Sequence, residues 1–300
     1  MKKVLITGGS GLIGQHLTHL LQINGYEVAW LSRNANPVPG VKVFKWDWKS
    51  NQLDEEALQW CENIIHLAGA GIANKRWTAK RKQLLLDSRV KTAQLLFEKI
   101  SNSNTINKVF ISASGVGYYG AKTTPHLFQE EDPPEGDFIS DICIEWEKAV
   151  QQFEKLNTRV VILRTGVVLT KNGGALAKMK APIQNFIGAP IGSGKQFFPW
   201  IHVYDLCSLY LFALENDING SFNAAAPDIQ TNSSFTKSLA KILKKPLFLP
   251  NIPKFTIKLL FGEMANLILE GSAVSVKKIQ QSGFQFKFKK LQSALVDLLS

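Results

Sequence analysis

The stretch Thr7-Gly8-Gly9-Ser10-Gly11-Leu12-Ile13-Gly14 decides the fold of this 300-residue chain. It follows a short apolar run, 4–7, and opens a segment with apolar residues at helical spacing, 12–21. Glycine allows a tight turn, lets the backbone approach a pyrophosphate, and leaves room for close helix–strand packing. The N–H groups at the start of the helix would then point at the phosphates. The context predicts a dinucleotide-binding loop, and a glycine-rich turn without a ligand is the alternative.

Apolar runs alternate with amphipathic segments through the first half of the chain. Further runs that predict strands are 28–31, 41–44, 64–67, 109–112 and 160–163. Helical patterns lie between most of them, the longest from Thr78 to Ile100. This alternation predicts the α/β class, with a Rossmann-type, doubly wound parallel sheet.

The rhythm changes after Arg164, where Gly, Pro and Lys become frequent. We predict a dinucleotide-binding domain over 1–168, completed by about 200–226, and a smaller C-terminal α+β substrate domain over 169–300. The tract 255–271 has apolar residues at near-helical spacing. Core packing is the default interpretation of this tract, and a cap over the substrate or a partner surface are the alternatives.

Composition excludes several classes of protein. With 35 basic and 24 acidic residues the formal net charge is +11, while 45% of residues are hydrophobic, which is typical of a globular chain. The lysines are dispersed and no apolar run reaches the roughly 20 residues of a membrane span, so neither nucleic acid nor a membrane is an expected partner. Three separated cysteines, at 61, 143 and 207, suggest reduced thiols in the cytoplasm and no metal site.

The end of the second predicted strand bears on the choice of cofactor. An acidic residue there would bind the ribose 2′-hydroxyl of NAD, but this chain has Ser32 and Arg33. A guanidinium and a hydroxyl suit a 2′-phosphate, which predicts NADP, as NADPH, over NAD. Asp47 and Trp48, after the third strand, are candidates for contact with the adenine. The alternatives are that Arg33 is solvated and that Trp48 is a surface aromatic.

Several tracts together resemble a known family. They are the glycine loop, His66-Leu-Ala-Gly69, Ser112-Ala-Ser114, Trp200-Ile-His-Val-Tyr-Asp205, Arg76-Trp77-Thr78, Gly117-Tyr-Tyr-Gly120 and Trp146-Glu147. In this order they resemble an extended short-chain dehydrogenase/reductase, of an atypical subgroup similar to nucleoside-diphosphate-sugar epimerases. Members of that subgroup are sometimes labelled SulA-like cell-division inhibitors, and nothing in these residues argues for a role in division.

The resemblance implies roles for residues that match the family pattern. The implied cofactor-binding residues are Gly8, Gly11, Leu12, Ile13, Gly14, Leu67, Ala68, Gly69, Ser88, Thr165, Gly166 and Val167. Ser88 stands where many relatives have a structural asparagine, and Ser114 aligns with the active-site serine. The family's Tyr-x-x-x-Lys pair, aligned through Trp146-Glu147, falls at Ile139 and Cys143. We therefore predict that the usual proton donor and its lysine partner are absent.

Other residues are candidates to supply the chemistry. Tyr118 and Tyr119 follow Ser114 in a glycine-rich loop, where a phenol could donate a proton or only pack. Arg76, Trp77 and His202 are candidates for binding a small substrate, anionic or a sugar nucleotide. The alternatives are an ion-paired helix start for the first two and a structural histidine for the third.

Two functions follow from these expectations. One is an NADP-dependent oxidoreductase or epimerase, working as a monomer or a homodimer. The other is a non-catalytic NADP-binding sensor or partner-binding module, which the missing Tyr–Lys pair favours.

Overall fold

An eight-stranded sheet with helices on both faces forms the centre of the protein. The structure is a computed structural model that describes residues 2–34, 38–103, 105 and 107–300. The strands are β1 (Lys2–Thr7), β2 (Tyr26–Ser32), β3 (Lys42–Asp47), β4 (Gln52–Leu53), β5 (Asn63–His66), β6 (Val109–Gly115), β7 (Leu127–Phe128), β8 (Arg159–Thr165), β9 (Val167–Leu169), β10 (Trp200–His202), β11 (Gly220–Ala224) and β12 (Ala273–Val274).

Helices connect these strands and dominate the C-terminal part. They are α1 (Leu12–Ile23), α2 (Glu56–Trp60), α3 (Ala79–Ser101), α4 (Phe138–Gln151), α5 (Gly174–Gln184), α6 (Val203–Glu215), α7 (Asn232–Ile242), α8 (Lys254–Phe261), α9 (Asn266–Leu269), α10 (Lys277–Gln281) and α11 (Leu291–Leu299). The Thr78 side chain accepts a hydrogen bond from Arg81 N–H, so Thr78 is the N-cap of α3 as the sequence predicts.

The strand order in the main sheet is β11-β8-β6-β5-β1-β2-β3-β4. Every neighbouring pair is parallel except β3 and β4, which are antiparallel. The order in which strands are added reverses at β1: β2 and β3 lie on one side of it, and β5, β6 and β8 lie on the other. Ligands of doubly wound folds bind in the crevice at such a switch point, outside the carboxyl ends of the strands. The predicted α/β fold with a doubly wound parallel sheet is confirmed.

Alternate side chains of the central strands enter two different cores. Val4 and Ile6 pack with α1 and α6 on one face, while Leu5 packs with α3 and α4 on the other. A strand covered on both faces needs apolar residues at every position, because neighbouring side chains point in opposite directions. This is why β1, β5 and β8 read as continuous apolar runs.

The C-terminal part is mostly helical and packs in two places. A third core joins α7 and α11 around Trp200 and Phe235. Residues 274–286 instead pack into the core shared by α1 and α6. Of the C-terminal strands, β11 belongs to the main sheet, β10 pairs with β9, and β12 pairs with β7. The boundary between the two domains stays a prediction.

Candidate functional site

The glycine loop joins β1 to α1 at the carboxyl edge of the sheet. Gly8 has a φ of +70°, which side-chain-bearing residues rarely adopt. A Cβ on Gly14 would lie 2.5 Å from the carbonyl oxygens of both Gly8 and Gly9, and one on Gly9 would overlap the Trp30 ring. The loop backbone therefore packs too tightly for any other residue at these positions.

The first turn of α1 is arranged to receive an anion. Its N-cap, Gly11, has no side chain to accept from the N–H groups, and the first turn carries no acidic residue. Such a terminus combines unsatisfied donors with the positive end of the helix dipole. The start of α5 lies against the Leu12 side chain, since a Cβ on Gly174 would lie 3.2 Å from Leu12 Cδ2. A dinucleotide pyrophosphate fits this cradle.

A buried hydrogen-bonded chain holds the loop against β5 and α3. Thr7 Oγ1 accepts from the N–H groups of Leu67 and Ala68 (3.1 Å each) and lies 2.8 Å from His66 Nδ1. Thr92 Oγ1 lies 3.3 Å from His66 Nε2 and donates to the Ser88 carbonyl oxygen. We infer that Thr7 donates to Nδ1 and Nε2–H donates to Thr92, which requires a neutral imidazole. The sequence analysis missed this role of His66.

Acid is expected to destabilise the protein through this histidine. Complete burial lowers the pKa of His66 to about 3, well below the roughly 6.5 of an unfolded chain. The unfolded state therefore binds the extra proton first, and stability falls as pH drops below about 6.5, by up to roughly 1.4 kcal/mol per pH unit. Urea unfolding of the parent and of His66→Gln at pH 7.5 and 5.5 measures this. Equal pH dependence in the two proteins would contradict it.

The end of β2 supplies an exposed cation beside this crevice. Arg33 is exposed, and the half-buried Ser32 accepts from Asn34 N–H through its hydroxyl at 3.3 Å. Asp47 accepts from Lys49 N–H at 3.0 Å, while the half-buried Trp48 packs against the core of the α3 face. Arg33 thus lies exposed at the end of β2, whereas Trp48 is largely a packing residue.

The loop after β5 is held from below by α3. Ser88 Oγ accepts from Ala70 N–H at 2.9 Å. Arg89 donates to the carbonyl oxygens of Leu85 and Ala70 and lies over the Trp146 ring. Both side chains therefore act on the backbone of 67–70, which leaves Leu67, Ala68 and Gly69 at the edge of the crevice. Ser88 is buried and would support a cofactor indirectly, not touch it.

Ser114, the expected active-site serine, belongs to a buried ion-pair cluster. Its hydroxyl donates to Glu147 Oε1 at 2.7 Å. Arg164 donates to both oxygens of the same carboxylate, Nε to Oε1 at 3.0 Å and NH2 to Oε2 at 2.8 Å. All three side chains are buried, so Ser114 is not available to a substrate in the way that its alignment with the family's active-site serine implies.

The two candidate tyrosines, Tyr118 and Tyr119, differ in how far they are exposed to solvent. Tyr119 is fully buried, donates to Asn223 Oδ1 at 2.8 Å and accepts from Arg164 NH1 at 3.0 Å. Burial raises the pKa of Tyr119 to about 12. Because its hydroxyl is enclosed with Asn223 and Arg164 and has no access to a substrate, the expectation that Tyr119 donates a proton does not hold. Tyr118 is half-buried and its ring lies face-on to Arg164, 3.4 Å from Cζ to the ring centroid.

The usual Tyr–Lys arrangement does not occur on α4, which contains no tyrosine. Ile139 and Cys143 stand at the aligned positions, and burial raises the pKa of the Cys143 thiol to about 12. The spacing does occur once in the chain, at Tyr118 and Lys122, so the prediction that it is absent is wrong for the chain as a whole and applies only to α4. Lys122 lies in the loop after a 3₁₀ turn (Val116–Tyr119) and pairs with Glu135 at 2.9 Å.

Two of the three candidate substrate contacts are structural. Trp77 is buried, with its ring edge-on to Phe138 at 5.0 Å and its Nε1 donating to the Ile72 carbonyl oxygen. It therefore offers no free stacking face. Arg76 is exposed at the boundary with the C-terminal part, where a Cβ on Gly262 would lie 2.7 Å from its Nε.

His202 is the second structural residue. It is buried, its Nδ1 accepts from Tyr204 N–H at the start of α6, and its ring stacks on Phe288 at 3.9 Å. Burial lowers the pKa of His202 to about 4, although Asp297, 3.3 Å from Nε2, opposes this. The neutral ring joins α6 to the C-terminal segment and is not exposed to a substrate.

Thr165 ends β8, opposite Gly115 in the main-sheet register, and Gly166 and Val167 follow it. A Cβ on Gly166 would lie 2.5 Å from the Pro199 carbonyl oxygen, so the chain crosses closely there. All three residues are half-buried at the carboxyl edge. The glycine loop lies at the same edge of the sheet, with β6 and β5 between β8 and β1.

The described residues contain no group of three or more His, Cys, Asp or Glu side chains that could hold a metal ion. No helix among them is long and apolar enough to cross a bilayer.

Comparison with known proteins agrees with this geometry. Residues 4–225 match the NAD dependent epimerase/dehydratase family, and residues 252–298 match a domain of unknown function, DUF1731. The chain is 37% identical over 301 residues to an epimerase family protein of Staphylococcus aureus strain MRSA252, covering 100% of both chains. It is 37% identical over 304 residues to epimerase family protein SDR39U1 of Mus musculus, covering 99% of this chain and 100% of that one.

A solved structure is similar over its whole length. The crystal structure of human epimerase family protein SDR39U1 (isoform 2) with NADPH has a TM-score of 0.86 and 34% identity, covering 99% of this chain and 98% of that chain. This chain belongs to the NAD dependent epimerase/dehydratase family, and it is a relative of SDR39U1 within the atypical extended short-chain dehydrogenase/reductases.

Proposed function

We propose that this member of the epimerase/dehydratase family binds NADPH in preference to NADH and acts as an oxidoreductase or epimerase on a small anionic substrate or a sugar nucleotide. The observation that carries the proposal is the glycine cradle facing an uncapped helix, with the exposed Arg33 at the end of the neighbouring strand. The NADPH bound to the human relative supports the same cofactor.

The residues that would hold the cofactor divide by the part they meet. The N–H groups of Leu12, Ile13 and Gly14 would bind the pyrophosphate, and the Gly8 and Gly11 backbone would shape the loop around it, since Gly11 N–H donates to the Gly8 carbonyl oxygen at 3.0 Å. Ser32 and Arg33 would bind the 2′-phosphate, and Leu67 to Gly69 would border the adenosine ribose. Thr165 to Val167 would border the nicotinamide, which supplies or accepts a hydride when bound.

The cofactor preference has a direct test. Arg33→Ala is expected to weaken NADPH binding roughly 10- to 100-fold, since a hydrogen bond to a charged group contributes about 1.5–3 kcal/mol, and to leave NADH binding unchanged. Calorimetric titration of both nucleotides measures the two dissociation constants. Lys42→Ala is the matched control, because it also removes one positive charge, at the start of β3 and therefore away from the carboxyl edge where Arg33 lies. Equal losses for NADPH and NADH would overturn the 2′-phosphate assignment.

Tyr118 is the proposed proton donor. Its ring is held on the Arg164 guanidinium, which the bidentate contact with Glu147 fixes in turn. The proposal is supported by the half-buried state of Tyr118 and by its position three residues after Gly115, which pairs with Thr165 at the carboxyl end of β8. The substrate would be bound against Arg76, the exposed one of the three expected substrate contacts.

The second candidate function is a non-catalytic NADPH-binding sensor or partner-binding module. It is favoured by the buried Ile139 and Cys143 at the positions of the family's catalytic pair. NADPH oxidation that depends on a small carbonyl compound or sugar nucleotide, and on Tyr118, would exclude it. Tight NADPH binding with no turnover on any such compound would favour it.

We also propose that the protein works in the cytoplasm. The three cysteines, Cys61, Cys143 and Cys207, are all free and buried. A chain with reduced, inaccessible thiols is typical of a reducing compartment.

A further inference from the structure

The C-terminal part carries a set of large apolar side chains that nothing in the described structure covers. We call this set the apolar rim. Its members are Phe186 (45% exposed), Ile187 (61%), Phe248 (64%), Leu249 (41%), Phe255 (72%), Leu259 (74%) and Leu260 (62%). Scattered single exposures are ordinary, but neighbouring ones mark an interaction surface.

The members of the apolar rim lie on segments that are joined side by side. Ile191 bridges Ile252, and Gly192 N–H donates to the Ile252 carbonyl oxygen at 2.8 Å. Lys245 Nζ lies 4.1 Å from the centroid of the Phe186 ring. The chain 186–192 therefore runs against 245–254, and α8 follows directly. On α8, Phe255 and Leu259 are four residues apart and share one face.

The charge around the apolar rim is predominantly positive, and the acidic residue that follows α8, Glu263, is paired with Lys82. Residues 229–262 contain no Asp or Glu, and their basic residues are Lys237, Lys241, Lys244, Lys245, Lys254 and Lys258. Lys254 makes an ion pair with Glu270 at 3.7 Å, from outside this segment. The other five add to a chain with a net charge of +11. A second copy of the protein would present the same lysines, so pairing through this face would set like charges together.

We propose that the apolar rim docks on the surface of an anionic lipid bilayer. Phenylalanine and leucine side chains between lysines are the pattern of peripheral helices that lie in the headgroup region. The apolar side chains would enter the acyl boundary, while the ammonium groups meet lipid phosphates or carboxylates. Binding of this kind needs no segment that spans the bilayer. The proposal therefore departs from the expectation of no membrane partner only for peripheral binding to the bilayer surface.

Vesicle sedimentation tests the proposal. The full chain is incubated with vesicles of equal phosphatidylglycerol and phosphatidylcholine, or of phosphatidylcholine alone. We expect sedimentation with the anionic vesicles at physiological salt, weakening as salt is raised, and little with the neutral ones. No sedimentation with anionic vesicles at physiological salt would overturn the proposal and leave an acidic protein as the occupant of the apolar rim.

Variants separate the apolar rim from overall charge. Lys244→Ala/Lys245→Ala/Lys258→Ala is expected to weaken partitioning about 100-fold, because each lysine near an anionic membrane surface strengthens partitioning by roughly fivefold. Phe255→Ser/Leu259→Ser is expected to weaken it at least tenfold. Lys2→Ala/Lys108→Ala/Lys148→Ala, a control with the same net charge change, removes exposed lysines elsewhere. Equal losses in the control and in the lysine variant of the apolar rim would overturn the proposal.

NADPH titration keeps this proposal separate from the proposed function. No residue of the apolar rim belongs to the glycine loop or to β2, so these variants are expected to bind NADPH as the parent does. A protein that binds vesicles but not NADPH would refute the cofactor assignment and leave the bilayer surface in place.

Discussion

Arg164→Met is expected to lower the free energy of unfolding by about 3–5 kcal/mol, because it leaves a buried carboxylate without its cation. Glu147 and Arg164 are each 4% exposed, so water cannot replace the lost partner. Burial alone lowers the pKa of the Arg164 guanidinium, but the hydrogen bonds and charges of Glu147 and Tyr119 together outweigh this and raise it. After the substitution, only the Ser114 hydroxyl would still donate to Glu147.

The double variant distinguishes the ion pair from simple loss of packing. Arg164→Met/Glu147→Met replaces both charges with apolar groups, and such replacements are often neutral or stabilising. We expect it to recover most of the stability that the single variant loses. Urea unfolding followed by circular dichroism gives all three free energies. The role assigned to this pair would be contradicted by a single variant within about 1 kcal/mol of the parent. It would also be contradicted by a double variant that is less stable than the single variant.

The fold was predictable because its signals are local. The glycine loop combines a turn, a close approach to Trp30 and an open helix terminus within eight consecutive residues. The apolar runs of β1, β5 and β8 follow from burial on both faces of the sheet. The exposure of Arg33 was likewise predictable from its position, because the carboxyl end of β2 faces the crevice in any doubly wound sheet.

The fate of individual polar side chains was not predictable in this way. Ser114 and Glu147 are 33 residues apart, and Tyr119 and Asn223 are 104 apart. No sequence pattern links such pairs, so two residues expected at a substrate were found inside the protein. The tract 255–271 shows the reverse case, since Ile257 is buried as core packing predicts while Phe255 and Leu259 are not. Helical spacing shows which residues share a face, but not what that face meets.

Tyr118→Phe is expected to reduce NADPH-dependent turnover by roughly 10²- to 10⁴-fold, the range for loss of a positioned acid or base. The substitution keeps the aromatic face on Arg164, so the guanidinium and its contacts to Glu147 stay in place. NADPH affinity is therefore expected to stay within about twofold of the parent. The measurement is loss of NADPH absorbance with a panel of small carbonyl compounds and sugar nucleotides, beside calorimetric titration of NADPH.

Tyr119→Phe is the matched control, because it removes the hydroxyl of the adjacent tyrosine. In this variant the expected loss is in stability and not in turnover. That hydroxyl bonds to Asn223 and Arg164 in the interior, so its loss should cost about 1–3 kcal/mol of stability. Turnover per folded molecule should change little. Parental turnover in Tyr118→Phe would place the proton donor elsewhere. A large loss of turnover in Tyr119→Phe alone would show that the buried cluster, and not the half-buried phenol of Tyr118, governs the chemistry.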